Sequence, residues 1–244
     1  MTLLSVSNLA RSFGGIQAVA DMDFTLQSGE IRAIIGPNGA GKTTFVSMIS
    51  GRVEPSAGSI RFDDVDITNL RSWDRVQQGI VYTFQITSIY RNLSCFDNVA
   101  LAAQQRLSRD LPVWRHPPRA ALWSATETAL EKVGLLARRD ELAGELAYGH
   151  QRLLEVAMGL ALEPRLLILD EPTQGLAESE IANFCVLVKE IGRSATILLI
   201  EHNMDVVMEL AHRITVMSNG RLLAEGTPPE IMANADVQRA YLGT

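Results

Sequence analysis

The chain has 244 residues, enough to bury a core as one large α/β domain or two lobes, and with 47% of them hydrophobic and 20% charged its composition is that of an ordinary globular protein and argues against disorder. A formal net charge of −6 argues against a nucleic-acid partner, since phosphate binding leans on a lysine and arginine surplus. Cys95 and Cys185 lie far apart, outside any CxxC or His/Cys cluster, so two reduced, buried thiols are expected rather than a metal site or disulfide.

Apolar alternation over Leu4–Leu9 and Phe24–Leu26 predicts strands of a half-buried antiparallel sheet. Ile31–Ile35 reads as a buried strand that runs into the glycine-rich stretch GPNGAGKTT, and Phe45, Val46, Met48 and Ile49 predict a helix from the end of that loop to about Gly51. Glu54–Gly58 is turn chemistry, Ile60–Phe62 a short strand, and Ile80–Phe84 a buried strand ending at Gln85. From about Asn92 to Val133 the pattern turns helical, broken by the segment Leu111–Arg119 with its three prolines. A further helix is expected just after Gly149, with Leu153, Leu154, Val156, Ala157 and Leu160 on its apolar side.

The remainder alternates strand and helix: Leu166–Leu169, a helix through Ile181–Ile191, Ala195–Ile200, and a helix from about Met204. Two short strands, Ile214–Met217 and Arg221–Ala224, meet at the turn Asn219-Gly220. The outline is a mainly parallel α/β core, residues 1–87 and 161–244, with a helical lobe at about 88–160. The apolar runs Leu166–Leu169 and Ile197–Ile200 are strand-sized, no stretch reaches the ~20 residues of a membrane span, and the start MTLLSVSNLARSF has no signal-peptide pattern. A soluble protein is expected, with any membrane role supplied by partners.

Gly36, Pro37, Asn38, Gly39, Ala40, Gly41, Lys42 and Thr43 fit the spacing GxxxxGK[ST] at every fixed position, with Thr44 following. Glycines let backbone N–H groups wrap phosphate oxygens, and the following helix points its positive end at the same anion. Lys42 is expected to reach the β- and γ-phosphates of a nucleotide, and Thr43 to offer its hydroxyl to Mg²⁺. The alternative, a glycine turn with a spare lysine, fits poorly with a strand before the loop and a helix after it. Downstream, the apolar run Leu166–Leu169 ends in Asp170 and Glu171 at the carboxyl edge of a buried strand, where α/β sheets hold ligands. One acid can hold Mg²⁺ and the next can polarise an attacking water.

With these motifs in place, the sequence resembles the ABC ATPase family over essentially its whole length. The resemblance implies a P-loop ATPase core with a small antiparallel β subdomain and a helical signature-motif subdomain. It assigns Phe13, in Arg11-Ser12-Phe13-Gly14-Gly15, to stacking on adenine, and Gln85, after Tyr82-Thr83-Phe84, to Mg²⁺ or the attacking water. It assigns His202, in Ile200-Glu201-His202-Asn203, to the γ-phosphate and Glu171 to catalysis.

The family signature Leu-Ser-Gly-Gly-Gln is here Leu146, Ala147, Tyr148, Gly149 and His150, followed by Gln151. Ala147 lacks the usual serine hydroxyl, and Tyr148, less free than glycine to take positive φ, is expected to alter the local turn. Ala177 stands where many relatives carry aspartate in the loop that communicates across the dimer. Leu-Ala-Tyr-Gly, Arg-Ser-Phe-Gly-Gly, Thr83-Phe84-Gln85, the proline-rich segment, Gly226-Thr227-Pro228 and the ending Ala240-Tyr241-Leu242-Gly243 are similar to one branch, the ATPases of branched-chain amino acid importers.

The resemblance implies two subunits face to face around two ATP molecules, each signature completing the opposite site. It implies Mg²⁺, two transmembrane permease subunits, a second ABC ATPase (a paralogue in preference to a second copy of this chain) and, indirectly, an external substrate-binding protein, with no nucleic acid. The place implied is peripheral, on the cytoplasmic face of the inner membrane. Importers of urea or short amides, exporters of lipid or polysaccharide, and soluble non-transport ABC ATPases are the alternatives.

Overall fold

The structure is a computed structural model that describes residues 1–83, 88–112 and 114–240 together with the backbone of 241 and 242. Two sheets dominate it. One is antiparallel, built from β1 (Thr2–Phe13), β2 (Ile16–Gln27), β4 (Ala57–Phe62) and the short β5 (Val65–Asp66), in the order β2-β1-β4-β5. The other has β3 (Ile31–Ile35), β6 (Ile80–Thr83), β7 (Leu166–Asp170), β8 (Thr196–Ile200), β9 (Arg213–Ser218) and β10 (Arg221–Gly226). Its order is β10-β9-β3-β8-β7-β6, parallel throughout except for the β9–β10 hairpin.

Strands β3, β7 and β8 read IRAII, LLILD and TILLI, and all fifteen residues are buried. Continuous apolar runs of this kind suit a parallel sheet covered on both faces. Successive side chains alternate between those faces. Leu167, Leu169, Ile197 and Leu199 join a core with Val99, Leu154 and Phe184, whereas Ile34, Ile168, Leu198 and Ile200 pack with Leu4, Phe45 and Met48. The one charge inside β3, Arg32, is matched by Glu30 at 2.6 Å, Glu225 at 2.8 Å and the Thr215 hydroxyl at 3.0 Å.

The helices are α1 (Lys42–Ile49), α2 (Ser72–Gln77), α3 (Cys95–Leu107), α4 (Arg119–Lys132), α5 (Tyr148–Ala161), α6 (Glu178–Ile191), α7 (Met204–Leu210), α8 (Pro228–Met232) and α9 (Ala235–Leu242). Helix α3 begins at Ser94, whose hydroxyl accepts from Asp97 N, and α3, α4 and α5 pack on one another through Val99, Ala103, Leu130 and Leu154. The carboxyl end of α1 is held by Arg75 of α2. Its guanidinium, 1% exposed, donates to the carbonyls of Met48 (2.6 Å), Ile49 (2.8 Å), Thr68 (2.8 Å) and Leu70 (3.0 Å). A cation there meets the negative end of the helix dipole, although burial pushes Arg75 down to about 10. Both cysteines are free and buried, as expected.

The continuous apolar strands appear where the sequence predicts them, and Ile31–Ile35 matches at both ends. The other boundaries differ modestly. β1 and β2 run the length of a hairpin around Gly14-Gly15, and α5 starts at Tyr148 rather than after Gly149. The expected strand end at Phe84 and Gln85 lies outside the described residues. Helices α2, α8 and α9 carry no sequence expectation.

Candidate nucleotide site

The sheet order places β3, β8 and β7 side by side. Three chemically distinct segments follow their carboxyl ends: the glycine loop after β3, Glu201-His202 after β8, and Asp170-Glu171 at the end of β7. Parallel strands with ligand-binding groups at their carboxyl edge define the site by topology alone.

The loop enters α1 through Gly41, which caps the helix at φ +94° with no side-chain hydrogen bond. A Cβ at Gly41 would lie 2.3 Å from the Ala18 carbonyl oxygen of β2, so the position admits only glycine. Gly220 in the β9–β10 turn, itself against Ala18, braces the loop further, its N–H donating to Ala40 O at 3.0 Å. No acidic residue occupies the first turn of α1, leaving its N–H groups and positive end open to an anion. Asn38, Gly39 and Thr43 are exposed; Gly36 and Ala40 are buried, and Pro37, Gly41 and Thr44 are half-buried.

Lys42 is buried, its Nζ donating to Gly36 O at 2.7 Å and Pro37 O at 3.1 Å. Burial lowers its pKa, and the nearby carboxylates of Glu171 and Asp170 oppose that shift. The loop cation and both acids therefore share one electrostatic field.

Asp170 is 1% exposed and its Oδ2 accepts from the Tyr82 hydroxyl at 2.5 Å. Burial raises the Asp170 pKa, with the neighbouring Glu171 charge adding to the rise and the Tyr82 bond, Arg52 and Lys42 opposing it. Burial, then the bond to Asp170, raises that of Tyr82. The second oxygen, Oδ1, is buried without a hydrogen-bond partner among the described residues. A buried, orphaned carboxylate oxygen is costly unless something else meets it. Mg²⁺ takes one or two carboxylate or hydroxyl ligands and otherwise phosphate and water. Asp170 and Thr43 fit that requirement, and no cluster of three or more His, Cys, Asp or Glu residues among the described residues competes for the ion.

At Glu171 the chain turns into the left-handed region, φ +48°, and its N–H donates to Ile200 O of β8 at 2.9 Å. That conformation costs a non-glycine residue about 1–3 kcal/mol and recurs at functional sites. It ends the extended run of β7 at the second of the two adjacent acids. His202 is exposed, with a backbone N–H that donates to Glu201 Oε2 at 2.9 Å. In the sequence, nothing but its place after an apolar strand marks Glu201.

Phe13 ends β1 and is 47% exposed, so it is no core residue, with the Arg11 guanidinium 4.7 Å from its ring centre. Its hairpin lies against the loop through Ala18. Gln85 lies outside the described residues.

The signature segment starts α5, with Ala147 as an N-cap that offers no side-chain acceptor and a first turn free of acids. Leu146 and Gly149 are buried and Tyr148 is exposed. Tyr148 is simply the first helical residue, and the left-handed residue is instead Gly175, φ +79°. A Cβ on Gly175 would lie 2.9 Å from Tyr148 Cε1, so the tyrosine ring covers the loop that also carries Ala177. Gln151 Nε2 donates to Leu146 O at 2.8 Å, and His150 Nδ1 lies 2.9 Å from an Arg138 nitrogen. Glu180 reaches back to the Ala177 N–H at 2.7 Å, half of a capping box whose other half alanine cannot make.

A strand, glycine loop and helix beside a carboxylate pair define a P-loop nucleotide-hydrolysing α/β protein. Residues 19–174 match the family described as ABC transporter, and residues 221–244 match the branched-chain amino acid ATP-binding cassette transporter family. The chain belongs to the ABC transporter family, as an ATP-binding cassette that couples ATP hydrolysis to transport.

It is 40% identical to the high-affinity branched-chain amino acid transport ATP-binding protein LivG of Escherichia coli (strain K12), covering 99% of this chain and 98% of LivG. It is 35% identical to the lipopolysaccharide export system ATP-binding protein LptB of the same strain, covering 100% and 98%. Among solved structures, the ADP conformation of MJ1267, an ATP-binding cassette of an ABC transporter, superimposes with a TM-score of 0.84 at 28% identity, covering 100% of both chains.

Proposed function

We propose that this chain powers an importer of branched-chain or related amino acids, working on the cytoplasmic face of the inner membrane beside two transmembrane permease subunits. The observation that carries the ATPase part is the convergence of the glycine loop, the acid pair and His202 after three adjacent strands. The substrate class draws support from LivG, similar over nearly its whole length, and from the match at residues 221–244. No described helix is long and apolar enough to cross a membrane, so the reading assigns translocation to partner subunits.

In this reading Gly36 to Thr44 cradle the phosphates of ATP, Lys42 reaches across the β- and γ-phosphates, and Phe13 stacks on adenine. Thr43 and Asp170, with Gln85 in the same set, would hold Mg²⁺, which would supply charge neutralisation at the phosphates. Glu171 accepts a proton from the attacking water while His202 donates to the γ-phosphate, and the P–O bond to the ADP leaving group breaks. Leu146, Ala147, Tyr148, Gly149 and His150 face the ATP held by a second, paralogous cassette, binding through the α5 N-terminus rather than a serine hydroxyl. Closure of the pair on ATP and reopening after hydrolysis move the permeases, which an external binding protein supplies with substrate.

The similarity to LptB favours a second reading, the ATPase of a lipid or polysaccharide exporter. Affinity purification of the tagged chain from detergent-solubilised membranes separates them. Two permeases, a similar ATPase and an amino-acid-binding protein support the importer. Recovery with export components, or without membrane proteins, contradicts it.

A further inference from the structure

Glu201 is 1% exposed, and the four hydrogen-bonding groups around its carboxylate among the described residues are all donors. Its Oε1 accepts from Thr173 N at 3.0 Å and from the Thr173 hydroxyl. Its Oε2 accepts from His202 N at 2.9 Å and Asn203 N at 3.2 Å. One oxygen therefore grips the segment just beyond Asp170-Glu171, and the other grips the turn that presents His202. Asn203 continues the chain of contacts by capping α7, accepting from Asp205 N at 3.1 Å and Val206 N at 3.4 Å.

Burying a carboxylate is costly unless its partners are well placed, so a mere tie between two loops would be met more cheaply by a neutral group. Only an acceptor with two oxygens satisfies four converging donors. The Glu171 N–H bond to Ile200 O adds a second tie between the same two strand ends.

We propose that Glu201 is a positioning residue for ATP hydrolysis, holding the ends of β7 and β8 in register so that Glu171 and His202 address the same phosphate. The proposal rests on the reading of those two residues given above. Glu201 acts through the backbone: its Oε2 is 3.9 Å from His202 Nδ1, beyond a hydrogen bond, and the buried carboxylate has no access to the nucleotide. In Glu201→Gln an amide NH₂ must replace one oxygen and meet a donor. Turned toward Thr173 it can use the hydroxyl as an acceptor but strands the Thr173 N–H; turned toward His202 it opposes two N–H groups.

The test compares the full chain with its Glu201→Gln, His202→Ala and double variants, measuring kcat and KM for ATP and thermal melting. The expected result for Glu201→Gln is a kcat lower by about tenfold or more, KM for ATP unchanged, and a combined loss with His202→Ala smaller than the product of the two single losses. A simple loss of folded protein would not produce that non-additivity. Wild-type kcat in Glu201→Gln, or losses that multiply in the double variant, would overturn the proposal. An unaffected His202→Ala would remove the reading of His202 and this proposal with it, whereas an impaired His202→Ala beside an unaffected Glu201→Gln removes the proposal alone. If Glu201→Gln fails to fold, Thr173→Val deletes one of the four donors in a buried, similar volume. A smaller fall in kcat at constant KM is then expected, and an unchanged kcat overturns the proposal.

Discussion

Replacing Gly41 by alanine puts a methyl group where the backbone of β2 already sits. The added Cβ would be 2.3 Å from Ala18 O and 3.4 Å from Gly220 Cα, at a φ of +94°. The left-handed backbone costs an L-residue about 1–2 kcal/mol. An overlap of this size with an immobile strand costs about 1–3 kcal/mol more, as in overpacked cores. The restricted unfolded chain returns about 0.4–1 kcal/mol, leaving a net loss of about 1–5 kcal/mol. Because the alternative to unfolding is to push the loop outward, nucleotide affinity should fall together with stability. Urea unfolding with and without ADP, plus ADP titration, reads both. A variant within about 0.5 kcal/mol of wild type that still binds ADP normally would refute the reasoning, since ordinary surface substitutions stay within that range.

Other expectations follow from single contacts. Phe13→Ala should weaken ATP binding by about 1–3 kcal/mol, the worth of one stacked base, without altering kcat at saturation; equilibrium binding of a fluorescent ATP analogue checks this. Asp170→Asn should raise the Mg²⁺ concentration needed for half-maximal hydrolysis, and chelation of Mg²⁺ should stop turnover in the wild type; a metal titration of the rate reads both. Arg75→Met removes the charged donor shared by the carbonyls of Met48, Ile49, Thr68 and Leu70, of which Met48 O keeps the Gly51 N–H, and should destabilise the chain by at least about 1–3 kcal/mol, measured by denaturant unfolding.

The central strands were legible because burial on both faces demands uninterrupted apolar runs, which a sequence displays directly. The phosphate loop was legible because Gly36 and Gly41 are forced by close backbone contacts, with Met217 O and Ala18 O, and Gly39 by its positive φ. Helix α2 was not, since its buried residue is a charged arginine serving the carbonyls of another helix. Helix α8 opens with Pro228-Pro229 and is fixed by Glu230 reaching back to the Thr227 N–H, a pattern that reads as a turn. At the site, the orphaned Asp170 oxygen, its Tyr82 partner and the Glu201 carboxylate depend on the pairing of β6, β7 and β8, which no local pattern encodes. Tyr148 poses no problem of backbone conformation, since it is the first residue of α5. The structure assigns the left-handed position to Gly175, and the tyrosine ring fills the space that glycine leaves.

The account stands on Glu171 as the group that activates water after ATP is bound. The most direct measurement is ATP binding and steady-state phosphate release by Glu171→Gln beside the wild type. The expected result is ATP affinity at least equal to wild type with phosphate release lost. Undiminished phosphate release by the variant would contradict the account, whatever the chain transports.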